Sequence, residues 1–268
     1  IGVPEALNNE LVRLIGKENP KVGYISSSTD RSREWYNKKL ENYKTVGIND
    51  LMYFDIDEEF DETKVDELFA CDAIHLTGGN TFSFLSLLKK RKLMNLIREY
   101  VKRGGVLLGV SAGAIIMTNT VEVSEMVDEN EINLTDYSAL GLVDFEFLPH
   151  WNEDSDVSKV LDYSKRKNAT VYLCGETDGV VVEGDEIRLI GNVITVKNGQ
   201  IIRSNSKKSL EFQYKNWKGE TSFRKVNPIE FWYGSTQYHQ EEQWLLKAFD
   251  IEKQAERDFA VKDIIKFV

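Results

Sequence analysis

A serine framed by glycines, Gly109-Val110-Ser111-Ala112-Gly113, carries the strongest chemical signal in this chain. A hydroxyl held on a sharp strand-to-helix turn projects at the carboxyl end of its strand, and the flanking glycines leave the chain room to bend. The apolar run Val106 to Val110 before it and the helical-looking Ile115-Ile116-Met117 after it supply that context. In isolation the same five residues would also suit a tight packing turn. A serine hydroxyl is a poor nucleophile near neutral pH and needs a base, and the chain has three histidines, His75, His150 and His239. His75 lies within an apolar strand and reads as a hydrogen-bonded core residue, while His239 lies in a separate C-terminal region. His150, in Leu148-Pro149-His150-Trp151-Asn152, follows an apolar run and is the candidate base. A base of this kind needs an acid to fix its tautomer and stabilise the imidazolium. Asp178, in Gly175-Glu176-Thr177-Asp178-Gly179, is the first choice, with Glu176 and Glu125 able to fill the same role. A second glycine cluster, Thr77-Gly78-Gly79-Asn80-Thr81, lies between a strand and a helix, where free N–H groups meet negative charge. The N–H groups of Gly79 and Ala112 are the candidate oxyanion donors. A phosphate-cradling turn, or a helix cap by Asn80 or Thr81, competes with that reading.

Strands alternating with helices must carry these groups. Residues 8–15 suit a short helix, Val22-Gly23-Tyr24-Ile25 a strand, and 32–44 a second helix. Leu51 to Phe54 reads as a strand, 62–69 as a helix, Ala73 to Leu76 as a strand and Phe84 to Tyr100 as one long helix before the strand at Val106. Apolar runs without polar alternation are what strands covered on both faces look like, so an α/β fold with a mostly parallel sheet flanked by helices is expected. After Asn119 the acidic stretch Glu122 to Glu131 reads as an exposed excursion. Val171 to Cys174 and Val180 to Val182 read as late strands, and Glu186 to Val196 as hairpin material ending at the turn Asn198-Gly199. The polar stretch Arg203 to Ser209 is the expected linker between a domain at 1–203 and a small antiparallel β domain at 210–268. The latter is read from short strands at Phe212 to Trp217, Phe223 to Tyr233, Trp244 to Phe249 and Arg257 to Val261.

Composition narrows the function classes. The chain has 268 residues, 41% of them hydrophobic, enough for one large domain or a medium and a small one. A formal charge of −10 disfavours binding to phosphate backbones, so no nucleic-acid partner is expected. The basic runs Lys89-Lys90-Arg91-Lys92 and Lys207-Lys208 read as solvated faces. The two cysteines, Cys71 and Cys174, lack paired or metal-type spacing and read as buried small residues. No stretch approaches about 18 uninterrupted apolar residues, and Glu5, Glu10 and Arg13 interrupt the first turns, so neither a membrane span nor a signal peptide is expected. A soluble, cytoplasmic protein without a membrane partner is the expectation, and its oligomeric state stays open.

The three blocks Ala73-Ile74-His75-Leu76-Thr77-Gly78-Gly79-Asn80-Thr81, Gly109-Val110-Ser111-Ala112-Gly113-Ala114 and Leu148-Pro149-His150, in that order, resemble the peptidase E (aspartyl dipeptidase) family. The resemblance covers roughly Pro4 to Ile202. It implies a fold like that of class I glutamine amidotransferases and hydrolysis of short peptides by a Ser, His and acidic triad, with no metal or other cofactor. Ser111 matches the family's nucleophile and His150 its base, while Asp178 matches the acidic member, often Glu in relatives. Amidotransferases of this fold carry cysteine at the elbow, so the serine argues against glutaminase activity. The order Ser, His, acid also separates the chain from ordinary α/β-hydrolases, where the acid precedes the histidine. The family begins with a strand before its first helix, whereas this chain opens without Met and almost directly in helix, so that strand is expected to be missing or trimmed. Aspartyl specificity needs a cation for the substrate carboxylate, for which Arg188 and Lys165 are the candidates.

Trp217, Trp232, Tyr233, Tyr238 and Trp244 crowd the C-terminal region and read as core aromatics of a small domain. The last sixty or so residues are similar to WYL-type ligand-sensing domains. Two functions follow from the sequence: a serine-type peptidase acting on short peptides or other small amides, with Asp-X dipeptides as one substrate class, or a non-catalytic small-molecule binding or sensory protein on the same fold.

Overall fold

A computed structural model describes residues 5–152, 154–204, 210–216, 218–253 and 255–267. The chain divides into two compact units, 1–204 and 205–268. Trp217, Lys207-Lys208 and most of the expected linker lie outside the described residues.

In the first unit, α1 (Glu5–Ile15) leads to β1 (Lys21–Ser26), and α2 (Glu34–Lys44) to β2 (Asp50–Asp55). A 3-10 turn (Glu62–Lys64) runs into α3 (Val65–Phe69) and then β3 (Ala73–Leu76). The strands form one parallel sheet with β4 (Val106–Gly109), in the order β2-β1-β3-β4. Buried side chains run along β1 and β3 without alternation, as both covered faces require. The long helix expected at 84–100 is two, α4 (Thr81–Lys90) and α5 (Leu93–Lys102), broken where Lys92 takes a φ of 59°. Apolar periodicity survives that break, so the sequence does not reveal it. Parallel pairing aligns Ile25 with Leu76 and Leu76 with Gly109. The carboxyl ends of β1, β3 and β4 therefore lie side by side, and the loops that follow meet there.

After the short α6 (Ala112–Ile116), the chain builds a second sheet from β5 (Glu146–Leu148), β6 (Thr170–Leu173), β9 (Ile194–Lys197) and β10 (Gln200–Ser204), in the order β10-β9-β6-β5. Only β5 and β6 run parallel. Between them lies α7 (Val157–Lys167), a helix the sequence reading did not mark; Asp156 caps its start and Asn168, at φ 52°, ends it. The expected hairpin from Glu186 to Val196 is divided, because β8 (Glu186–Ile190) pairs back to β7 (Gly179–Glu183), whereas β9 pairs with β6. Asn198 and Gly199 do turn β9 into β10, with φ of 52° and 73°, as a tight hairpin requires. One core cluster joins Ile25, Ile74 and Leu76 of the first sheet to Leu148, Val171, Leu173 and Val196 of the second.

The second unit is a five-stranded antiparallel sheet of β11 (Leu210–Lys215), β12 (Thr221–Gly234), β13 (Gln243–Asp250), β14 (Ala255–Ala260) and β15 (Ile264–Phe267), ordered β14-β13-β12-β11-β15. Its core gathers Phe212, Tyr214, Val226, Leu246, Ala248 and Phe259. The aromatics expected in that core behave differently: Tyr233, Tyr238 and Trp244 are more than half exposed, and Trp232 is partly buried, donating to Asp258 Oδ1 at 2.9 Å. Tyr233 and Trp244 lie opposite one another where β12 pairs with β13, beyond the described pairing of β11 with β12 at Thr221 to Val226. Among the described residues, no helix is long and apolar enough to cross a membrane.

Candidate active site

Ser111 begins at the end of β4, where the backbone is pinned on both sides. Val110 N–H donates to Leu76 O at 3.0 Å, and Gly113 N–H reaches Thr77 O at 3.1 Å. A side chain at Gly113 would place its Cβ 2.3 Å from Leu76 O, and one at Gly109 would stand 2.6 Å from Ala114 N. Both glycines are thus required by close backbone approach. Between them Ser111 takes φ 50° and ψ −113°, a conformation that L-residues avoid, and its carbonyl accepts from Ala114 and Ile115 as α6 starts.

His150 follows β5 on the neighbouring sheet. The pairing of β5 with β6 continues past the strands, with Cys174 N–H donating to Leu148 O at 2.9 Å and Trp151 N–H to Cys174 O at 3.0 Å. His150 sits within that clasp at φ 59°, and like Ser111 it is a non-glycine residue of positive φ. Its Nε2 lies 2.8 Å from Ser111 Oγ, and its Nδ1 lies 2.6 Å from Glu176 Oε1. The His150 and Glu176 side chains are about half exposed, 52% and 53%, so the chain of groups opens to solvent.

Asp178, the acid expected beside His150, stands elsewhere. Its Oδ2 accepts from Gly175 N–H at 2.9 Å and its Oδ1 from Asn192 N–H at 2.7 Å, closing the turn that carries Glu176. Glu125 accepts from Tyr137 OH at 2.9 Å. The residue brought to the imidazole is therefore Glu176, one of the two alternatives. His75 is fully enclosed, with Tyr43 OH 2.9 Å from its Nδ1, and burial drives its pKa well down. His239 belongs to the second unit, where its Nε2 lies 3.3 Å from Asp258 O.

Gly78 and Gly79 lie against the elbow, since a Cβ on Gly78 would sit 3.5 Å from that of Ser111. Gly79 has φ 137°, accessible in practice to glycine. Neither the Gly79 nor the Ala112 N–H is engaged by another described residue. The cap reading of this cluster also holds: Asn80 Oδ1 accepts from Ser83 N–H at 3.0 Å and starts α4, while Asp128 accepts from Thr81 N–H at 3.0 Å. Glu146, at the start of β5, is buried, and burial, with the charge of Glu122, pushes its carboxyl up to about 7. No sequence signal separated it from a solvated glutamate. Cys71 and Cys174 are free and buried, and burial raises both thiols, that of Cys71 to about 11. Arg188, one of two cations considered for substrate, is held by Glu10 at 2.7 Å, and Lys165 lies in the last turn of α7. Among the described residues no three His, Cys, Asp or Glu side chains converge as a metal-binding group.

The model of peptidase family S51 matches residues 3–190. An uncharacterised peptidase of Listeria monocytogenes is 32% identical over 120 residues, 43% of this chain and 58% of that protein. The chain thus spans less than two thirds of the length of that relative. A peptidase E of a Nostoc species is 26% identical over 199 residues, covering 68% of this chain and 77% of that protein. Among solved structures, a protein of Listeria monocytogenes proposed to be a peptidase E superposes with a TM-score of 0.56 at 23% identity, over 70% of this chain and 96% of its own, a likeness of fold.

Proposed function

The chain belongs to peptidase family S51, and from that premise we propose that it hydrolyses short peptides with Ser111 as nucleophile, His150 as base and Glu176 as the acid that orients it. The observation that carries this reading is the unbroken run of contacts from Ser111 Oγ to His150 Nε2, 2.8 Å, and from His150 Nδ1 to Glu176 Oε1, 2.6 Å. With Nδ1–H donated to the carboxylate, Nε2 is left to accept the serine proton. Attack of Oγ on the scissile carbonyl carbon sends that proton to His150 and negative charge to the carbonyl oxygen. The N–H groups of Gly79 and Ala112 are proposed to receive that charge. The imidazolium, stabilised by Glu176, then protonates the leaving amine, and water repeats the sequence on the acyl-enzyme.

Within this reading Asp-X dipeptides are the finer substrate class, and Arg188 would have to leave its pairing with Glu10 to meet their carboxylate. The test is labelling by a fluorophosphonate probe together with a panel of dipeptides that differ in the first residue. Labelling abolished by Ser111→Ala and reduced at least about 10³-fold in rate by His150→Ala is expected. A folded protein that the probe does not touch, and that cleaves nothing in the panel, would overturn the reading in favour of a binding or sensory role.

A further inference from the structure

Two consecutive glycines are a poor anchor for an oxyanion donor. The peptide group is planar, so the Gly78 carbonyl and the Gly79 N–H point to opposite sides of one rigid plate. Counter-rotation about the bonds on either side turns that plate over, and with no Cβ on either residue little steric resistance opposes it. Turned over, the plate would aim a carbonyl oxygen, rather than an N–H, at a developing negative charge. Something outside the Gly78-Gly79 pair has to hold it.

Ser27, just past the end of β1, makes the contact that does so. Its Oγ donates to Gly78 O at 2.6 Å, and its own N–H donates to Thr77 Oγ1 at 2.9 Å. These two bonds continue the pairing of β1 with β3 beyond Ile25 and Leu76, where the ladder register ends. Ser27 is buried, at 8% exposure, so water competes little for its hydroxyl. The fit is reciprocal: a Cβ on Gly79 would stand 2.3 Å from Ser27 Oγ, so the hydroxyl occupies the space a side chain at 79 would need. With the Gly78 carbonyl drawn to Ser27, the Gly79 N–H is turned to the other side of the plate, and no described residue takes it.

We infer that Ser27 is a positioning residue, fixing the Gly78–Gly79 peptide so that the Gly79 N–H faces the oxygen that becomes negative. Its hydroxyl bonds Gly78 O, so its part in the reaction is played through the peptide plane. The inference rests on the hydrolytic reading above.

The test compares Ser27→Ala, Ser27→Thr and Ser27→Cys with the unaltered chain, using the fastest dipeptide of the panel and a dipeptidyl aldehyde whose adduct with serine carries an oxyanion. Losing an oxyanion donor outright costs about 10²–10³ in kcat. Freeing the plate to turn should cost Ser27→Ala about 10 to 10² in kcat with KM within about twofold, and weaken the aldehyde by the same factor. Threonine, which keeps the hydroxyl, should restore kcat to within about threefold, and cysteine, a weaker donor, should fall between. If alanine fails to fold, the threonine and cysteine pair still decides the matter. Equal kcat and aldehyde affinity for those two, or an alanine variant with kcat unchanged in an enzyme that labels at Ser111, overturns the inference and leaves the hydrolytic reading standing. An unaltered chain that neither labels nor hydrolyses takes both down together.

Discussion

Glu176 and Asp178 stand two positions apart in one turn and divide its work. Asp178 bonds backbone N–H groups at Gly175 and Asn192, a habit of aspartate at turns, whereas the longer Glu176 side chain leaves the turn and reaches His150. The two carboxylates should therefore fail differently. Glu176→Gln should cost about 10² to 10⁴ in kcat with the melting temperature little changed, since an amide no longer enforces the right tautomer. Asp178→Ala should instead destabilise the fold by about 1–3 kcal/mol, because it leaves two N–H groups without their acceptor. Paired kinetic and thermal melts of the two variants would show the division, and equal kinetic loss in both would refute it. At this scale the sequence was informative where geometry demands a residue type. The glycines around Ser111 are required because a Cβ at either would stand 2.3 to 2.6 Å from backbone atoms, which is why the motif stands out. Of three histidines, only His150 follows a strand at the correct sheet end. Choosing between two acids in Gly-Glu-Thr-Asp-Gly depends on side-chain direction within a turn, which composition does not encode.

Among the elements, α2 holds an unexpected group. Lys39 is buried against the first sheet with its Nζ unpartnered, 5.4 Å from the Tyr43 ring, and burial lowers its pKa to about 8. In the unfolded chain the amine returns to about 10.4. Below pH 8 both states carry the proton, and the folded state bears the full cost of a buried charge, roughly 3 kcal/mol by the size of the shift. From pH 8 to about 10.4 the unfolded chain holds more protons, so this contribution makes stability rise with pH. Lys39→Met should raise the stability at pH 7 by about 1–3 kcal/mol, a gain that shrinks above pH 8; denaturant titrations at pH 7 and 9.5 would measure both. A variant equal to the unaltered chain at both values would mean that the amine reaches water. Strands of the first sheet were legible from their apolar runs, whereas the break at Lys92 and the helix α7 were not. The first leaves periodicity intact, and the second spends its buried surface on Val160, Tyr163 and Ser164 within a run of lysines and serines.

For the whole molecule, the sequence showed alternating strands but not how they divide among sheets, two of four strands and a two-stranded ribbon in the first unit and one of five in the second. Between β4 and β5 the chain has no regular strand, so nothing along it marks where one sheet stops and the other begins. The second unit's small core was legible as a β domain, while the exposure of Tyr233 and Trp244 was not, because an aromatic-rich strand reads the same whichever face its rings occupy.

Nucleophile and base ride on different slabs, Ser111 just past the edge strand β4 of the parallel one, and His150 and Glu176 just past β5 and β6 of the mixed one. The distance on which proton transfer depends is thus set by a seam, and a slip of about an ångström along it would silence the molecule while both slabs kept their hydrogen-bonded ladders. In a urea series, turnover should accordingly vanish at lower concentration than far-ultraviolet ellipticity, and the two curves would coincide only if the seam were as firm as the slabs it joins.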